Sequence, residues 1–389
     1  MKLWKFTKMF KKIASYFLIW RVTLFFIAFL SIFFLPMFGA RFPYADRVLQ
    51  ITHLPHWIWG FGNFDGVHYL RIAQDGYFAQ YSQAFFPLFP ILIRLFSFVF
   101  PKVPNLDTNI FTDPSYFYSG LILANSFFLG ALYVLYKLVR IDFKKDVSFL
   151  TIILLLVFPT SFFFGSIYTE SLFLLLAVTS IYLIRKGNFF WAVILISLST
   201  ATRITGILLI PLYLIEVFKS KKNINYIWTL IIPLGILAYM YYLKTNFNNP
   251  LYFLSSQPIF GASRSSSEII LLPQVIYRYL KIFMTTNVFT LPFFNAFLEF
   301  VFTLVPLTFL VVYFKKIRFS YWFFAITILL IGTITGTFSS QPRYALIPMV
   351  FIFPYIITQY RKYVKPVILI SSILGIILTM LFIRGYWVS

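Results

Sequence analysis

Cysteine is absent from the 389-residue chain, and histidine occurs only as His53, His56 and His68. Without cysteine there are no disulfides, thiolate metal ligands or cysteine nucleophiles, and so few histidines make a histidine-rich metal cluster unexpected. Asp-x-Asp pairs, the usual signature of metal-dependent nucleotide-sugar enzymes, are also absent, as are the common nucleotide-binding, metalloprotease and serine-hydrolase motifs. The sequence therefore predicts no metal and no cofactor.

Acidic residues are scarce: 11 Asp and Glu stand against 33 Lys and Arg, which gives a formal net charge of +22. In a soluble protein this balance would suggest a nucleic-acid partner. Here the basic residues form short clusters between apolar runs, as the positive-inside rule expects for cytoplasmic loops. We therefore expect contacts with anionic membrane lipids and no nucleic acid.

Apolar residues are abundant, because 60% of the chain is hydrophobic, 22% is aromatic and only 11% is charged, with a mean hydropathy of +0.85. Soluble domains carry about 25% charged residues. The composition thus predicts an all-α polytopic membrane protein that forms one integral domain over 1–389, with about 11–12 transmembrane segments. The candidate segments are 13–38, 84–100, 117–140, 149–164, 167–184, 189–202, 204–218, 226–243, 290–313, 319–337, 343–360 and 366–384. The first of them reads as a retained span and not as a cleaved signal peptide.

The basic clusters predict the sidedness of these segments. The clusters expected in the cytoplasm are the N-terminus, 143–145, 185–187, 219–222, 315–318 and 361–365. The regions then expected outside are 39–83, the turn at 165–170, the region near Arg203, 244–288 and 339–343. A full crossing by 84–100 would invert every later segment. Either 84–100 dips into the bilayer without crossing it, or one of the short segments at 149–202 is not a span.

Four ionisable residues stand at the outer ends of apolar segments: Asp65, Glu170, Arg203 and Arg343. A charge at the middle of a span costs about 2.5–3.5 kcal/mol unless it faces a cavity or a partner. Four such residues on one side of the membrane therefore predict a functional site on the extracytoplasmic face of a multi-pass cell-membrane protein.

The first outer loop, 39–83, contains the densest group of ionisable residues, in "DGVHYLRIAQDGY". The pattern predicts a short helix with Asp65 as its N-cap. Asp65, His68 and Tyr69 share one face at i, i+3 and i+4, and Arg71 and Asp75 form an i, i+4 pair on another. The alternative is a purely structural role, in which Asp65 only caps the helix and the Arg71–Asp75 pair only solvates its outer face. The "AFFPLFPILIRL" that follows predicts a kinked, apolar wedge in the bilayer.

Three later stretches carry the other charges. Glu170 begins a span in "YTES", where the helix dipole favours a carboxylate, although it could be a simple interfacial cap. Arg203 lies in the apolar run "STATRITGILLIP", where we expect an anionic partner, either Glu170 or a phosphate, in preference to snorkelling. Arg343 and Tyr344 start a helix after Pro342, and Arg there opposes the dipole unless it binds an anion. The alternative is an interfacial Arg/Tyr anchor.

The longest polar stretch, 244–288, is expected to be an outer loop with a function, because loops of this length are rarely passive. It contains Arg264, Glu268, Arg278 and Lys281. Its final part, "LLPQVIYRYLKIF", predicts an amphipathic helix on the membrane surface.

Taken in order, these stretches resemble a known family. "FDGVHYLRIAQDGY" and "AFFPLFPILIRL" resemble the signature of the GPI mannosyltransferase 2, or PIG-V-like, family, which adds the second mannose, and of its prokaryotic relatives. "FPTSFFFGSIYTESLF", "ATRITGILL" and "SSQPRYALIP" resemble that family's later motifs, so the likeness runs along most of the chain. Phe64 stands where the family usually has Trp, which is an aromatic-for-aromatic change.

The resemblance implies a GT-C glycosyltransferase with its active site on the non-cytoplasmic face. The donor would be a polyprenyl-phosphate sugar, the acceptor a lipid- or glycan-linked hydroxyl, the product an inverted glycoside, and the sugar mannose or a related hexose. The family's essential aspartate corresponds to Asp65, which we expect to act as general base. Arginine suits a leaving lipid phosphate because its planar fork bonds bidentately, so no metal would be needed.

The remaining roles are hypotheses. Arg203 and Arg343 would bind the donor phosphate, and Glu170 would position the acceptor or Arg203. The residues expected to assist are His68, Tyr69 and Tyr344, while the segments 84–100 and 244–288 would contact the prenyl chain and the sugars. Two other functions explain broken helices and intramembrane charge: a transporter or flippase for an anionic lipid or solute, and a non-catalytic membrane subunit of a glycosylation complex.

Overall fold

The computed structural model describes residues 2–39, 48–102, 113–221, 223–260, 265 and 268–388, and within them every regular element is helical. Short 3₁₀ turns join many of the helices. The α-helices are α1 Lys2–Phe34, α2 His56–Trp59, α3 Asp65–Asp75, α4 Leu88–Ser97, α5 Pro114–Asp142, α6 Lys145–Leu156, α7 Glu170–Arg185, α8 Phe189–Thr200, α9 Leu209–Ser220, α10 Leu234–Phe247, α11 Tyr252–Ser255, α12 Leu272–Thr285, α13 Leu291–Val312, α14 Phe319–Ile331, α15 Gln341–Tyr344, α16 Leu346–Gln359 and α17 Val364–Ile383. The predicted all-α membrane architecture is confirmed.

Five helical stretches in the described part of the chain are long and apolar enough to cross a membrane. They are Lys8–Phe34, Pro114–Asp142, Ile224–Phe247, Leu291–Val312 and Arg361–Ile383. Several other predicted segments contain shorter apolar helices, as in α4, α8 and α16. The bundle therefore combines helices that are long enough to span a membrane with shorter apolar ones.

The segment 84–100 is one of the short ones. Its helix, α4, has 10 residues, which span about 15 Å, against about 30 Å for the hydrocarbon core. Pro87 occupies the N-cap of α4, and because the residue before a proline disfavours the helical region, the start of the helix at this point is expected. A helix of this length favours the alternative in which 84–100 dips in without a full crossing.

Two helices show the expected start signals. Asp113 precedes Pro114, and its carboxylate accepts the Ser115 amide at 2.8 Å. Thr290 likewise caps α13, where its hydroxyl accepts the Phe293 amide at 3.5 Å. In both cases a side-chain oxygen satisfies an amide that has no partner inside the helix.

A group of ion pairs lies at the end of the bundle where the basic clusters meet. Arg185, at the end of α7, makes two bonds of 2.7 Å to the Asp142 carboxylate. Arg318 makes bonds of 2.6 and 2.5 Å to Glu216, which is 4% exposed. Because α7 has 16 residues, about 24 Å separates this group from Glu170 at the other end of the helix. The predicted division between a basic side and a site side therefore appears in the fold.

Candidate active site

The four charged residues that the sequence placed at helix ends meet in space and form an ionic quartet of Asp65, Arg343, Glu170 and Arg203. Arg343 Nη1 donates to Asp65 Oδ2 at 2.6 Å, and Arg343 Nε lies 3.3 Å from Glu170 Oε1. Arg203 Nη1 donates to the same Glu170 oxygen at 2.8 Å. Positive and negative charges thus alternate along the quartet, and each buried charge has an opposite neighbour.

Asp65 is the first residue of α3 and follows a strained position. The preceding residue, Phe64, has φ 57° and ψ −115°, a left-handed backbone that residues with a side chain rarely adopt. No side chain caps the helix, so the prediction that Asp65 is the N-cap was wrong. Its carboxylate accepts a charge-assisted hydrogen bond from Arg343 instead.

Phe64 is held in this conformation by aromatic packing. Its ring is 4% exposed, and it lies 5.7 Å from the Phe382 ring and 5.2 Å from the Trp387 ring. Asn63 next to it donates to the carbonyls of Phe382 and Ile383 at 2.9 and 3.1 Å. The end of α17 therefore fixes the turn that presents Asp65. Strain of this kind is retained where the surroundings determine it.

Glu170 is the most enclosed member of the quartet, with 3% of its side chain exposed. It is the first residue of α7, as predicted, where the helix dipole favours a negative charge. Its Oε1 contacts both arginines, while its buried Oε2 has no hydrogen-bond partner among the described residues. Glu170 therefore holds the two guanidinium groups next to each other.

Arg203 lies in a break between α8 and α9. Its backbone is extended at φ −156°, after which a 3₁₀ turn leads into α9. The break is tight because a Cβ on Gly206 would lie 2.4 Å from the Ser199 carbonyl oxygen, so only glycine fits there. The side chain is 14% exposed and pairs with Glu170, which was one of the two partners expected for it.

Arg343 lies in α15, a single turn in which Pro342 is at the start, as the sequence indicates. Ser340 before it has φ 68°, and the Thr160 hydroxyl donates to the Pro342 carbonyl at 2.7 Å. The side chain of Arg343 is 10% exposed. The Asp65–Arg343 ion pair thus has a left-handed residue shortly before each partner in the chain, Phe64 before Asp65 and Ser340 before Arg343.

The three auxiliary residues lie around the quartet. The Tyr344 ring lies between the two arginines, 5.4 Å from the Arg203 guanidinium and 5.7 Å from that of Arg343. The Tyr69 hydroxyl is 3.4 Å from the Thr169 hydroxyl, next to Glu170. His68 stacks on the Phe85 ring at 4.6 Å. Burial is the main cause that lowers the His68 pKa to about 4, so the ring is neutral at pH 7.

Tyr168 belongs to the site but was not among the predicted residues. Its hydroxyl donates to the Asn63 carbonyl at 3.0 Å and accepts the Asp65 amide at 3.3 Å. Its ring also lies 5.5 Å from the Arg343 guanidinium. The position of Tyr168 two residues before Glu170 in "YTES" was the only signal, because nothing in the local sequence shows that its hydroxyl reaches the first outer loop.

Other expectations from the outer loops divide into tested and untested ones. The Arg71–Asp75 pair is confirmed, with Nε 3.0 Å from Oδ2, and the amphipathic helix is present as α12. Part of the first loop, 40–47, and Arg264 of the long loop lie outside the described residues. Within the described part of the chain, no three His, Asp or Glu residues group closely enough to hold a metal ion.

An apolar groove of about 480 Å³ runs beside the site. Residues of the wedge line one wall, among them Leu88 and Ile91, and residues of α8 and α10 line the other, among them Leu198 and Tyr239. Ala201 in the groove is two residues from Arg203, and its carbonyl accepts the Leu88 amide at 3.1 Å. The groove therefore adjoins the chain segment that carries Arg203.

Comparison with known proteins identifies a family for the first part of the chain. The sequence profile described as mannosyltransferase (PIG-V) matches residues 10–230, which is more than half of the chain. The match includes Asp65, Glu170 and Arg203, whereas Arg343 lies beyond it. The fold brings Arg343 to the other three.

Curated relatives match over a shorter length. GPI mannosyltransferase 2 of Drosophila pseudoobscura pseudoobscura is 30% identical over 141 residues, which is 36% of this chain and 29% of the relative. GPI mannosyltransferase 2 of Cryptococcus neoformans var. neoformans serotype D is 31% identical over 145 residues, or 37% of this chain and 34% of the relative. The matched region spans about a third of the length of these relatives.

Among solved structures, the oligosaccharyltransferase of Archaeoglobus fulgidus aligns with this chain at 14% identity. Its form tethered to an acceptor peptide aligns over 94% of this chain and 55% of that chain, with a TM-score of 0.45. Its apo form aligns over 79% and 48%, with a TM-score of 0.43.

Proposed function

Because the chain belongs to the mannosyltransferase (PIG-V) family, we propose that it is a GT-C glycosyltransferase of the membrane. It moves mannose, or a related hexose, from a polyprenyl-phosphate sugar to a lipid- or glycan-linked hydroxyl on the extracytoplasmic side. The observation that carries this proposal is the ionic quartet, which sets one partly exposed carboxylate beside two arginines. Those are the groups that transfer from a lipid phosphate requires.

The reaction we propose is a single inverting displacement. The acceptor oxygen attacks the anomeric carbon, while the bond from that carbon to the phosphate oxygen breaks and the phosphate leaves with the electron pair. Asp65 removes the acceptor's hydroxyl proton as the new bond forms. The products are the inverted glycoside, the polyprenyl phosphate and a protonated Asp65, which then returns its proton to solvent.

Asp65 is a better candidate base than Glu170 because of their different exposure. The Asp65 side chain is 17% exposed, whereas that of Glu170 is 3% exposed and bound to both arginines. A base must come within hydrogen-bond reach of the proton that it takes. We therefore assign removal of the acceptor's hydroxyl proton to Asp65, and positioning of the two guanidinium groups to Glu170.

Arg203 and Arg343 would hold the donor phosphate and stabilise the charge that grows on it as it leaves. An arginine carries five N–H donors in a planar fork. Their bonds to carboxylates in the quartet leave capacity for phosphate oxygens. A phosphate that binds Arg343 would also compete with Asp65 for it, so that donor binding would release the base. His68, Tyr69 and Tyr344 would contact the sugar or steady the arginines.

The groove beside α4 suits the prenyl chain of the donor. Its walls are mostly apolar, with Arg94 among the lining residues, and Ala201 in it is two residues from Arg203 along the chain, so a lipid in it would have its phosphate near the segment that carries Arg203. The segments 84–100 and 244–288 would contact the prenyl chain and the sugars. Since the quartet lies at the helix ends opposite the ion pairs of Arg185 and Arg318, the positive-inside rule favours a reaction outside the cytoplasm.

The test is sugar transfer by the purified protein in lipid, with radiolabelled polyprenyl-phosphate mannose and a membrane extract as acceptor. We expect transfer by the wild type and a loss of about 10²–10⁴-fold in Asp65→Asn, as for removal of a general base. Asp75→Asn is the matched control because Asp75 lies on the same helix, in an outer pair with Arg71. It should retain near-normal activity.

Other outcomes separate the competing functions. Equal activity in wild type and Asp65→Asn would keep the enzyme but remove Asp65 as its base. No transfer by the wild type, together with uptake of labelled lipid into sealed vesicles, would favour the transporter. Neither transfer nor uptake by the purified wild type, together with normal transfer by an intact glycosylation complex that contains Asp65→Asn, would favour the non-catalytic subunit.

A further inference from the structure

A second buried hydrogen-bond network, outside the quartet, centres on Tyr279 of α12. Its hydroxyl donates to Glu299 Oε2 at 2.5 Å and accepts the Phe338 amide at 3.0 Å. It also lies 3.2 Å from the Thr337 hydroxyl. Tyr279 and Glu299 are 4% and 9% exposed. An acidic residue within a membrane helix is costly, so its placement here needs an explanation.

The network joins three elements that are distant in sequence. Tyr279 lies in the amphipathic α12, Glu299 in the span α13, and Phe338 in the turn before α15. A tyrosine hydroxyl has one proton to donate and two lone pairs to accept with. The Glu299 carboxylate accepts the hydrogen bond from the tyrosine O–H, which leaves the lone pairs of the tyrosine oxygen to accept the Phe338 amide. The glutamate thereby fixes the direction of the tyrosine hydroxyl.

Backbone hydrogen bonds connect the Tyr279–Phe338 contact to Arg343. The Phe338 carbonyl accepts the Gln341 amide at 3.0 Å, and the Ser340 carbonyl accepts the Arg343 amide at 3.1 Å. The Arg278 guanidinium holds the same turn from the other side, with Nη1 3.0 Å from the Gly336 carbonyl. The turn contains the left-handed Gly336 and Ser340, so its conformation depends on such contacts.

We propose that Tyr279 and Glu299 are positioning residues for Arg343. They lock the turn 336–340, and the locked turn sets the guanidinium between Asp65 and Glu170. The proposal rests on the proposed function for its effect on the donor, whereas the locking itself is a property of the fold. It also explains why α12 has two different faces. The exposed side chains of Tyr277, Leu280 and Met284 point away from the core, while Tyr279 reaches inward to the turn.

The test combines hydrogen–deuterium exchange with kinetics of the full-length protein. Tyr279→Phe removes the hydroxyl and keeps the ring, which lies 4.6 Å from that of Phe338. We expect faster deuterium uptake in peptides that cover 336–344 and a donor KM about tenfold higher, with the acceptor KM unchanged. Tyr277→Phe is the matched control, since Tyr277 is on the same helix but 67% exposed.

Two further variants keep the test decisive. Thr337→Val removes a hydroxyl that contacts Tyr279 and accepts the Ser339 amide at 3.0 Å. It should also raise the deuterium uptake over 336–344 and the donor KM, and it replaces Tyr279→Phe in the test if that variant does not fold. Glu299→Gln keeps an oxygen that can accept from Tyr279, and it should come closer to the wild type than Tyr279→Phe does.

The outcomes are distinct. Unchanged uptake over 336–344 in both Tyr279→Phe and Thr337→Val would overturn the proposal. So would faster uptake with an unchanged donor KM, because the turn would then be loose without consequence for Arg343. If the wild type transfers no sugar, the proposed function fails on its own, and the exchange experiment still decides whether Tyr279 locks the turn.

Discussion

At the scale of single residues, the ionic quartet shows what residue type and position can predict. Asp65, Glu170, Arg203 and Arg343 were each identified because a charge at an apolar helix end needs a reason. Their pairing could not be inferred from the chain, since Arg343 follows Asp65 by 278 residues. Arg203 was expected to bind Glu170 or a phosphate, and the fold provides Glu170. Whether the four act as proposed stays a prediction.

Tyr168 and Phe64 mark the limit of that reasoning. Each belongs to a motif that the sequence made visible, but their roles depend on contacts with distant segments. Tyr168 links the first outer loop to the turn before α7, and Phe64 adopts its left-handed backbone against α17. Neither a distant hydrogen bond nor a strained φ angle leaves a local signal in the residue types.

His68 gives a prediction on pH. Burial, with a smaller contribution from Arg71 and against the opposing effect of Asp65, lowers its pKa to about 4, while an unfolded histidine titrates near 6.5. Between these values the unfolded chain binds a proton that the folded one refuses. The contribution of neutral His68 to the free energy of unfolding is therefore fully present above pH 6.5 and is lost as the pH falls towards 4. Between pH 7 and pH 5 this loss lowers the free energy of unfolding by about 2 kcal/mol.

The measurement is the Tm in detergent at pH 7 and pH 5 for the wild type and for His68→Phe. Phenylalanine can keep the stack on Phe85 but does not titrate. We expect the Tm to fall further in the wild type than in the variant. An identical fall in both proteins would show that His68 takes up its proton equally in the folded and unfolded states.

At the scale of helices, hydropathy located the apolar segments but not the geometry of the breaks between them. The segments 189–202 and 204–218 correspond to α8 and α9, with the bend at Arg203 between them, and 84–100 contains only the ten residues of α4. Proline marked one of these breaks. The break at Arg203 depends on glycine packing instead, because Gly206 lies against the Ser199 carbonyl, and close packing of this kind has no periodicity to detect.

That bend supplies a prediction about Gly206→Ala. The added methyl group would meet the Ser199 oxygen at 2.4 Å, so the backbone must shift, and the Arg203 carbonyl that accepts the Gly206 amide at 2.9 Å shifts with it. We expect transfer to fall by about ten- to a hundredfold through misplacement of Arg203. Gly130→Ala is the matched control, since its nearest contact would be an ordinary 3.4 Å to Leu175. Equal activity of the two variants would show that the bend tolerates the shift.

At the scale of the whole molecule, charge is divided between the two ends of the bundle. The quartet sits at one end of α7, and the ion pairs of Asp142 and Glu216 sit at the other. The sequence predicted this division from the basic clusters, because they recur between apolar runs of suitable length. The packing of short helices between long ones could not be predicted in the same way, since it depends on side-chain fit over long sequence separations.

The division leads to a prediction about orientation. Asn249, after α10, lies in the region expected outside, and Lys315, after α13, lies in a cluster expected inside; both are exposed. Because the chain has no cysteine, each can be replaced by a single cysteine in an otherwise thiol-free protein. A membrane-impermeant maleimide added to intact cells should label Asn249→Cys, whereas Lys315→Cys should be labelled only after permeabilisation. The reverse pattern would place the quartet at the cytoplasmic face, where the proposed transfer to an extracytoplasmic acceptor could not occur.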